Sequence, residues 1–244
     1  SYSNGTEDEA ATGFKAKFND KFESFRQNQL PNIVENCVRN RYLVAGGVVF
    51  GANYPLTTGA FDNTFGGGTT DIGLTKFNAT GTGVIFSTFL GGNNGDVPES
   101  LIVDDQNNLY SLGTTGSSNF PTTGSAYDGS FNGGSSTTAN GISLTNGSDI
   151  FITKLNPSGT SLLGSTFYGG TSNDGISDGS NDISFNYGDE LRGEIFVSGG
   201  KVYINSSTKS NNIPIVGGFD PTLSGQQDAI TAKFNSDLSN LEWS

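Results

Sequence analysis

The stretch "KFNATGTGVIFSTFLGG" at residues 76–92 has a near copy, "KLNPSGTSLLGSTFYGG", at residues 154–170. Its opening Lys-Phe/Leu-Asn tripeptide occurs four times, at Lys17, Lys76, Lys154 and Lys233. Self-similarity that recurs along a chain is the sequence signature of a repeat architecture, in which each copy is one supersecondary unit. The chain is therefore predicted to consist of copies of one such unit.

Two further markers recur between the lysines and keep the same order in each copy. One is "NYPLTTGAFD" at 53–62, "NFPTTGSAYD" at 119–128 and "NNIPIVGGFD" at 211–220. The other is a predicted strand pair, "IVENCVRNRYLVAGG" at 33–47, "LIVDDQNNLYSLGTT" at 101–115 and "EIFVSGGKVYINSST" at 194–208. The copies differ in length because of two polar stretches, 133–148 and 171–193, which are predicted to be inserted surface loops.

The composition favours many short strands over helices. The 244 residues include 36 glycines and only 15% charged residues, which is typical of strands joined by tight turns. The 18 phenylalanines and 8 tyrosines supply enough apolar area for a core. The net charge is −12 and the basic residues are scattered, so nucleic acid is not an expected partner. No apolar run is long enough for a membrane-spanning helix.

The residue types also limit the chemistry. Histidine is absent and Cys37 is the single cysteine. Without histidine there is no Ser-His or Cys-His dyad and no imidazole general base. Cys37 lies in a predicted strand, so we expect a buried, inert thiol there. No cofactor and no metal site are predicted, and a catalyst would need carboxylates, lysine or tyrosine.

One unit, residues 97–170, predicts four antiparallel strands from its alternation and its β-branched and aromatic residues. A lone four-stranded sheet cannot bury both faces and leaves two open edges. Arranging such sheets around an axis lets each pack on the next, which is the β-propeller solution. A stacked solenoid is less favoured, because its units are usually about 20–45 residues long and these are longer. The predicted fold is therefore all-β, a β-propeller of four-stranded antiparallel blades.

The ordered pattern of "TKLNPSGT", "STFYGG", "IVDDQNNLY" and "NFPTTGSAYD" resembles the bacterial β-propeller repeat called SBBP, over nearly the whole chain. On this resemblance we expect a partial propeller, or a segment of a longer one. Its predicted parts are the end of a first blade at 1–26, a second blade at 27–92, a third at 93–170 and an incomplete fourth at 171–244. The resemblance also implies a secreted or cell-surface protein, as in gliding bacteria with type IX secretion, and transient contact with a secretion translocon.

Residues 8–28 carry a competing helical pattern. Their phenylalanines are spaced as on an amphipathic helix, at Phe14, Phe18, Phe22 and Phe25. However, "ATGFKAKFN" at 11–19 matches "DIGLTKFN" at 71–78 in place and order. A strand is therefore the preferred prediction for this segment.

The most conspicuous acidic cluster comprises Asp174, Asp178, Asp182, Asp189 and Glu190. Oxygen-rich loops can bind calcium. However, the spacing does not meet the EF-hand pattern, so a solvated acidic loop is the preferred interpretation.

Other polar residues recur in each unit, which favours structural roles over catalysis. An aspartate follows an aromatic residue at Asp62, Asp128 and Asp220. Its carboxylate is expected to accept hydrogen bonds from turn amides while the aromatic ring packs between blades. The ammonium groups of Lys76, Lys154 and Lys233 are expected to point outward. Trp243 could stack on a sugar but is expected to fill a blade interface.

These observations favour a noncatalytic scaffold for adhesion or for protein or glycan interaction, and the resemblance implies that it is located outside the cell. A propeller-type, glycan-active enzyme is one alternative, and it would require carboxylates from several blades to meet near the axis. A lectin-like module that uses aromatic and asparagine-rich loops is another. We predict no catalytic residue.

Overall fold

The computed structural model describes residues 42–177 and 190–244, which form strands and no helix. The strands are β1 (Leu43–Val49), β2 (Asp71–Phe77), β3 (Val84–Leu90), β4 (Asp96–Val103), β5 (Leu109–Thr115), β6 (Thr137–Ala139), β7 (Ile142–Leu144), β8 (Asp149–Leu155), β9 (Leu162–Tyr168), β10 (Glu194–Ser198), β11 (Lys201–Thr208), β12 (Asp228–Asn235) and β13 (Leu241–Trp243). The all-β prediction is confirmed. The predicted first blade end at 1–26, the competing helix at 8–28 and Cys37 lie outside the described residues.

The strands form three antiparallel sheets and one separate hairpin. The first sheet has the order β1-β2-β3, the second β4-β5-β8-β9 and the third β10-β11-β12-β13, whereas β6 and β7 pair only with each other. The β4 strand lies beside β1 on one side and β10 on the other, so the three sheets meet along their inner strands. This is the arrangement of part of a β-propeller. The described residues do not close a ring.

The three sheets fall inside the predicted units 27–92, 93–170 and 171–244. The exact unit boundaries stay predictions. The second sheet has the four strands expected for residues 97–170, in simple up-and-down order. In the first sheet, β1 pairs with β2 as β5 pairs with β8.

The second sheet buries both of its faces, because side chains alternate between them along each strand. One face packs on the first sheet in a shared core of Ile72, Leu74, Phe86, Leu90, Leu109, Phe120, Phe151, Leu155 and Phe167. The opposite face packs on the third sheet through Tyr110, Leu112, Ile150, Ile152 and Tyr168. The prediction that each sheet packs its apolar face on its neighbour is thus confirmed for these two contacts.

The inserted stretch 133–148 is more ordered than a surface loop. It contains the β6–β7 hairpin, and Ala139, Ile142 and Leu144 are buried against Val97 and Ile176 in a small core of their own. The surface-loop prediction is wrong for this part. The alternation of Ile142 and Leu144 around Ser143 gives the hairpin an apolar face, which packs near the start of β4.

Candidate functional site

In the first and second sheets, the recurring lysine points into the contact with the next sheet, not outward. Lys76 is 1% exposed, and its Nζ donates hydrogen bonds to the carbonyls of Asn107 (3.0 Å) and Pro157 (3.4 Å). Lys154 is also buried, and its Nζ donates to the carbonyl of Ser236 at 3.2 Å. The prediction of outward ammonium groups is wrong for both, because the next sheet covers the face on which they lie.

The carbonyls of Pro157 and Ser236 belong to equivalent turns of the following sheet, whereas Asn107 lies in the turn between β4 and β5. The first turn, residues 156–161, joins β8 to β9, and the second, residues 235–240, joins β12 to β13. The Oδ1 of Asn156 accepts the amide of Thr160 at 2.9 Å, and the Oδ1 of Asn235 accepts the amide of Ser239 at 3.0 Å. Each turn has one residue in the left-handed region, Gly159 (φ 66°) or Leu238 (φ 61°).

The left-handed residue of each turn sits on the preceding sheet. Phe61 donates its amide to the carbonyl of Gly159, and Tyr127 donates its amide to that of Leu238, both at 2.9 Å. A Cβ added to Gly159 would overlap the ring of Phe86. At the contact between the second and third sheets, the small residue lies on the strand and the large residue lies in the turn. A Cβ added to Gly164, the β9 counterpart of Phe86, would lie 2.5 Å from the carbonyl oxygen of Asp237 and 3.4 Å from Cδ1 of Leu238.

The aspartates that follow an aromatic residue hold turns, as predicted. Oδ1 of Asp62 accepts the amide of Thr64 at 2.9 Å, and Oδ1 of Asp128 accepts the amide of Ser130 at 2.8 Å. Asp220 accepts the amide and the hydroxyl of Thr222 in the same way. These contacts lie within two residues of each aspartate, so the carboxylates act locally.

The aromatic residues before these aspartates behave differently from one another. Phe61 packs on the core shared by the first and second sheets, and Tyr127 packs on the core shared by the second and third. Phe219 is fully exposed and Trp243 is 38% exposed. The prediction of interface packing is confirmed for Phe61 and Tyr127. For Phe219 and Trp243, whose sheet face has no neighbour among the described residues, it stays a prediction.

Two buried aspartates close the loops that lead into the inner strands. Asp96 accepts hydrogen bonds from the amide of Gly92 (2.7 Å) and from the hydroxyls of Ser117 (2.9 Å) and Thr115. Asp174 occupies the equivalent place and accepts from the amide of Gly170 (2.7 Å) and the hydroxyls of Ser210 (2.7 Å) and Thr208 (2.5 Å). The solvated-loop interpretation is wrong for Asp174, which is fully buried.

The other members of the predicted acidic cluster do not join Asp174 in a described site. Asp178, Asp182 and Asp189 lie outside the described residues. Oε2 of Glu190 accepts the amide of Asn140, which belongs to the β6–β7 hairpin. Among residues 42–177 and 190–244, no three or more acidic, histidine or cysteine side chains are grouped as metal ligands.

Each buried loop aspartate faces a second one that begins a β-strand, and sequence reasoning missed these pairs. A Cβ at Gly91 would lie 2.7 Å from Oδ1 of Asp71 and 2.9 Å from Oδ2 of Asp96. A Cβ at Gly169 would lie 2.5 Å from Oδ1 of Asp149 and 3.0 Å from Oδ2 of Asp174. The signal was present: a strand-opening aspartate, a Gly-Gly pair and a second aspartate recur at the same offsets in both units.

Burial raises the pKa of these paired carboxyls, because it disfavours their charged form. The pKa of Asp71 rises to about 6, and the pKa values of Asp96 and Asp149 each rise to about 7. Burial also raises the pKa of Asp174. Hydrogen bonds from neighbouring amides and hydroxyls oppose each shift. In each pair, burial beside the backbone of Gly91 or Gly169 therefore raises the pKa of both carboxyls above the ordinary aspartate value.

Two acidic residues on inner strands, Glu99 and Glu194, have no counterpart on β1, the other described inner strand. Oε1 of Glu99 on β4 accepts the hydroxyl of Thr114 at 2.5 Å, and its buried Oε2 has no hydrogen-bond partner. Glu99 sits where the register of β4 against β5 shifts. Glu194 on β10 accepts the hydroxyl of Ser100 at 3.0 Å. Burial, with a smaller contribution from the charge of Glu194, raises the pKa of Glu99 to about 8.

Comparison with known proteins agrees with this architecture. No curated protein sequence matches the chain significantly. Residues 42–177 and 190–244 contain no apolar helix long enough to span a bilayer. Residues 85–121, which run from β3 through the β4–β5 pair to Pro121, match the SBBP family model, described as a beta-propeller repeat. This part of the chain is therefore similar to the SBBP β-propeller repeat.

Proposed function

We propose that this chain is a noncatalytic β-propeller scaffold of a secreted or cell-surface bacterial protein, serving in adhesion or in protein or glycan interaction. The observation that carries this proposal is the use of the repeated polar residues. Lys76 and Lys154 bond to the next turn, Asp62 and Asp128 hold their own turns, and Asp96 closes a buried loop. These side chains are engaged in supporting the sheets, which leaves the variable loops to contact a partner.

Export is supported by the resemblance to repeats of exported proteins, and the net charge of −12 is compatible with an extracellular location. The secretion translocon of a type IX system would then be a transient partner. An antibody against the recombinant chain tests this in fractions of the source bacterium. We expect the protein in the culture medium or on intact cells, where added protease removes it. Recovery only from the cytoplasmic fraction would contradict the proposal.

The interaction role is tested by probing the purified chain on a glycan array and on immobilised extracellular proteins. Binding to one ligand class with saturable affinity is expected. The Trp243→Ala variant is the matched control, because Trp243 is the exposed aromatic residue most suited to stacking on a sugar. Binding that survives this change places the ligand on other loops. The absence of saturable binding to any partner would contradict the interaction role.

A glycan-active enzyme is the second candidate, and the Glu99 and Glu194 pair favours it. A glycosidase needs one carboxylic acid that stays protonated and one carboxylate. A pKa of about 8 keeps Glu99 protonated at neutral pH, and Glu194 lies on the adjacent inner strand. Assays on aryl glycosides and polysaccharides, with Glu99→Gln as the control, separate the two candidates. Hydrolysis that this variant abolishes would replace the scaffold proposal with the enzyme.

A further inference from the structure

The outer face of the third sheet carries an exposed row of large side chains. Phe196, Tyr203, Lys233 and Trp243 are direct cross-strand partners on β10, β11, β12 and β13. The rings of Phe196 and Tyr203 lie 6.4 Å apart, and Nζ of Lys233 lies 5.8 Å from the centre of the Tyr203 ring. Phe196 is 58% exposed. Exposed aromatic residues grouped in this way mark a binding surface.

On the first and second sheets, the row of side chains that contains the recurring lysine is covered by the next unit. On the second sheet the row is Ile102, Tyr110, Lys154 and Gly164. The carbonyl of Ser236 in the 235–240 turn accepts hydrogen bonds from Nζ of Lys154 and from the hydroxyl of Tyr110, at 3.2 and 3.1 Å. The row of the first sheet, with Lys76 and Phe86, receives the 156–161 turn in the same way. The exposed row therefore continues an established interface.

We infer that the outer face of the third sheet is the docking site for a further unit of the same repeat, linked in the same order as the described units. Lys233 is placed to donate to the carbonyl of the incoming turn, as Lys76 and Lys154 do. Phe219, the counterpart of Phe61 and Tyr127, is placed to donate its amide to the left-handed residue of that turn. Its ring, fully exposed here, becomes covered by the incoming unit.

Trp243 restricts which unit fits. It stands at the position of Phe86 and Gly164, as the cross-strand partner of the repeated lysine. The large Phe86 lies on Gly159, whereas the small Gly164 leaves room for the backbone of Asp237 and the side chain of Leu238. A tryptophan at this position leaves room only for a glycine at the left-handed position of the incoming turn. The docking surface therefore accepts a unit with glycine at the left-handed turn position and rejects one with leucine there.

The remainder of this face is more polar than the equivalent face of the second sheet. The row of large side chains therefore supplies most of the apolar contact area. Asn205 and Thr231 stand where the second sheet has Leu112 and Ile152, as the cross-strand pairing shows. Both are exposed. A unit that docks here gains most of its buried apolar area from Phe196, Trp243 and Phe219. The fit of the turn against Trp243 is thus the main determinant of specificity.

A tandem fusion tests this inference, because Trp243 is the single tryptophan of the chain. A copy of residues 88–170 is added directly after Ser244, which occupies the position of Ser87, so that β13 continues into a complete unit carrying Gly159. We expect Trp243 emission to move to shorter wavelength and acrylamide quenching to fall relative to the unfused chain. The appended unit should resist protease.

The matched control is the same fusion with Gly159→Leu in the appended copy only, which should keep the emission and quenching of the unfused chain. Adding Trp243→Gly to that control should restore protease resistance of the appended unit, because it recreates the Gly164 and Leu238 pair. Unchanged Trp243 emission in the first fusion, or an appended unit that stays unfolded, would overturn the inference. So would a concentration-dependent emission shift of the unfused chain, which would assign the face to a second copy, or the same shift on adding soluble glycans.

Discussion

The two described contacts between sheets use the same hydrogen bonds but opposite side-chain sizes. In both, a lysine and a backbone amide bond to a turn with a left-handed residue. Between the first and second sheets, the ring of Phe86 lies on Gly159; between the second and third, Leu238 lies over Gly164. The polar part of the repeat therefore fixes the geometry, while the apolar pair is free to change if its summed volume is kept.

The largest expected effect comes from breaking one size pair. Gly159→Leu drives a side chain into Phe86, and Phe86→Gly leaves a cavity, so each is expected to cost about 3–4 kcal/mol in the free energy of unfolding. The double variant reproduces the Leu238 and Gly164 pair and should lose less than the sum, with a coupling of about 1–3 kcal/mol. Chemical denaturation of the four proteins measures this cycle. Strict additivity would show that the two residues do not form a matched pair.

Replacing either buried loop aspartate, Asp96 or Asp174, should lower the free energy of unfolding by a similar amount. In this respect the two loops differ from the contacts at Phe86 and Gly164, where the side-chain sizes are reversed. Asp96→Ala removes the acceptor of one amide and two hydroxyls, and Asp174→Ala does the same in the next unit. Leaving buried donors unpaired is expected to cost about 3 kcal/mol in each variant. Thermal and denaturant unfolding check this expectation. A loss at only one site would contradict the equivalence of the two loops.

The sequence predicted the strands and their order because alternation and turn residues are local signals. It also predicted the role of Asp62 and Asp128, whose partners lie two residues away. It failed for Lys76, because a cross-strand position fixes the face of a sheet but not what covers that face. The Asp71 and Asp96 pair needed knowledge of which loops meet across Gly91. The exposure of Phe219 likewise depends on a neighbouring sheet, not on its own unit.

The pH dependence of the free energy of unfolding tests whether the buried aspartates at both contacts are protonated in the folded chain. The folded pKa values of Asp96 and Asp149, about 7, lie above the ordinary value of 3.8. Between these values the folded chain holds more protons than the unfolded chain, so the free energy of unfolding falls as pH rises. The unfolding midpoint should therefore be higher at about pH 5 than at about pH 8, by about 2–4 °C per kcal/mol recovered.

The Asp96→Asn variant is the control for this pH dependence. Asparagine is always neutral, and its oxygen can still accept the amide of Gly92 and the hydroxyl of Ser117. Its NH2 group replaces the oxygen that accepts the hydroxyl of Thr115, so the variant removes one titrating group at the cost of that one acceptor. Its unfolding midpoint should depend less steeply on pH than that of the parent chain. An identical pH dependence in the two proteins would show that Asp96 does not titrate over this range.

The smallest effect separates a covered lysine from an exposed one. Lys76→Met keeps the apolar stem but leaves the carbonyls of Asn107 and Pro157 without their charged donor, at an expected cost of about 1–2 kcal/mol. Lys233→Met is the matched control: Nζ of Lys233 lies 3.1 Å from Glu242 in a partly exposed ion pair, and exposed pairs contribute little. Its unfolding midpoint should not change measurably. Equal losses in both variants would mean that the lysine stabilises its own sheet, not the contact with the next one.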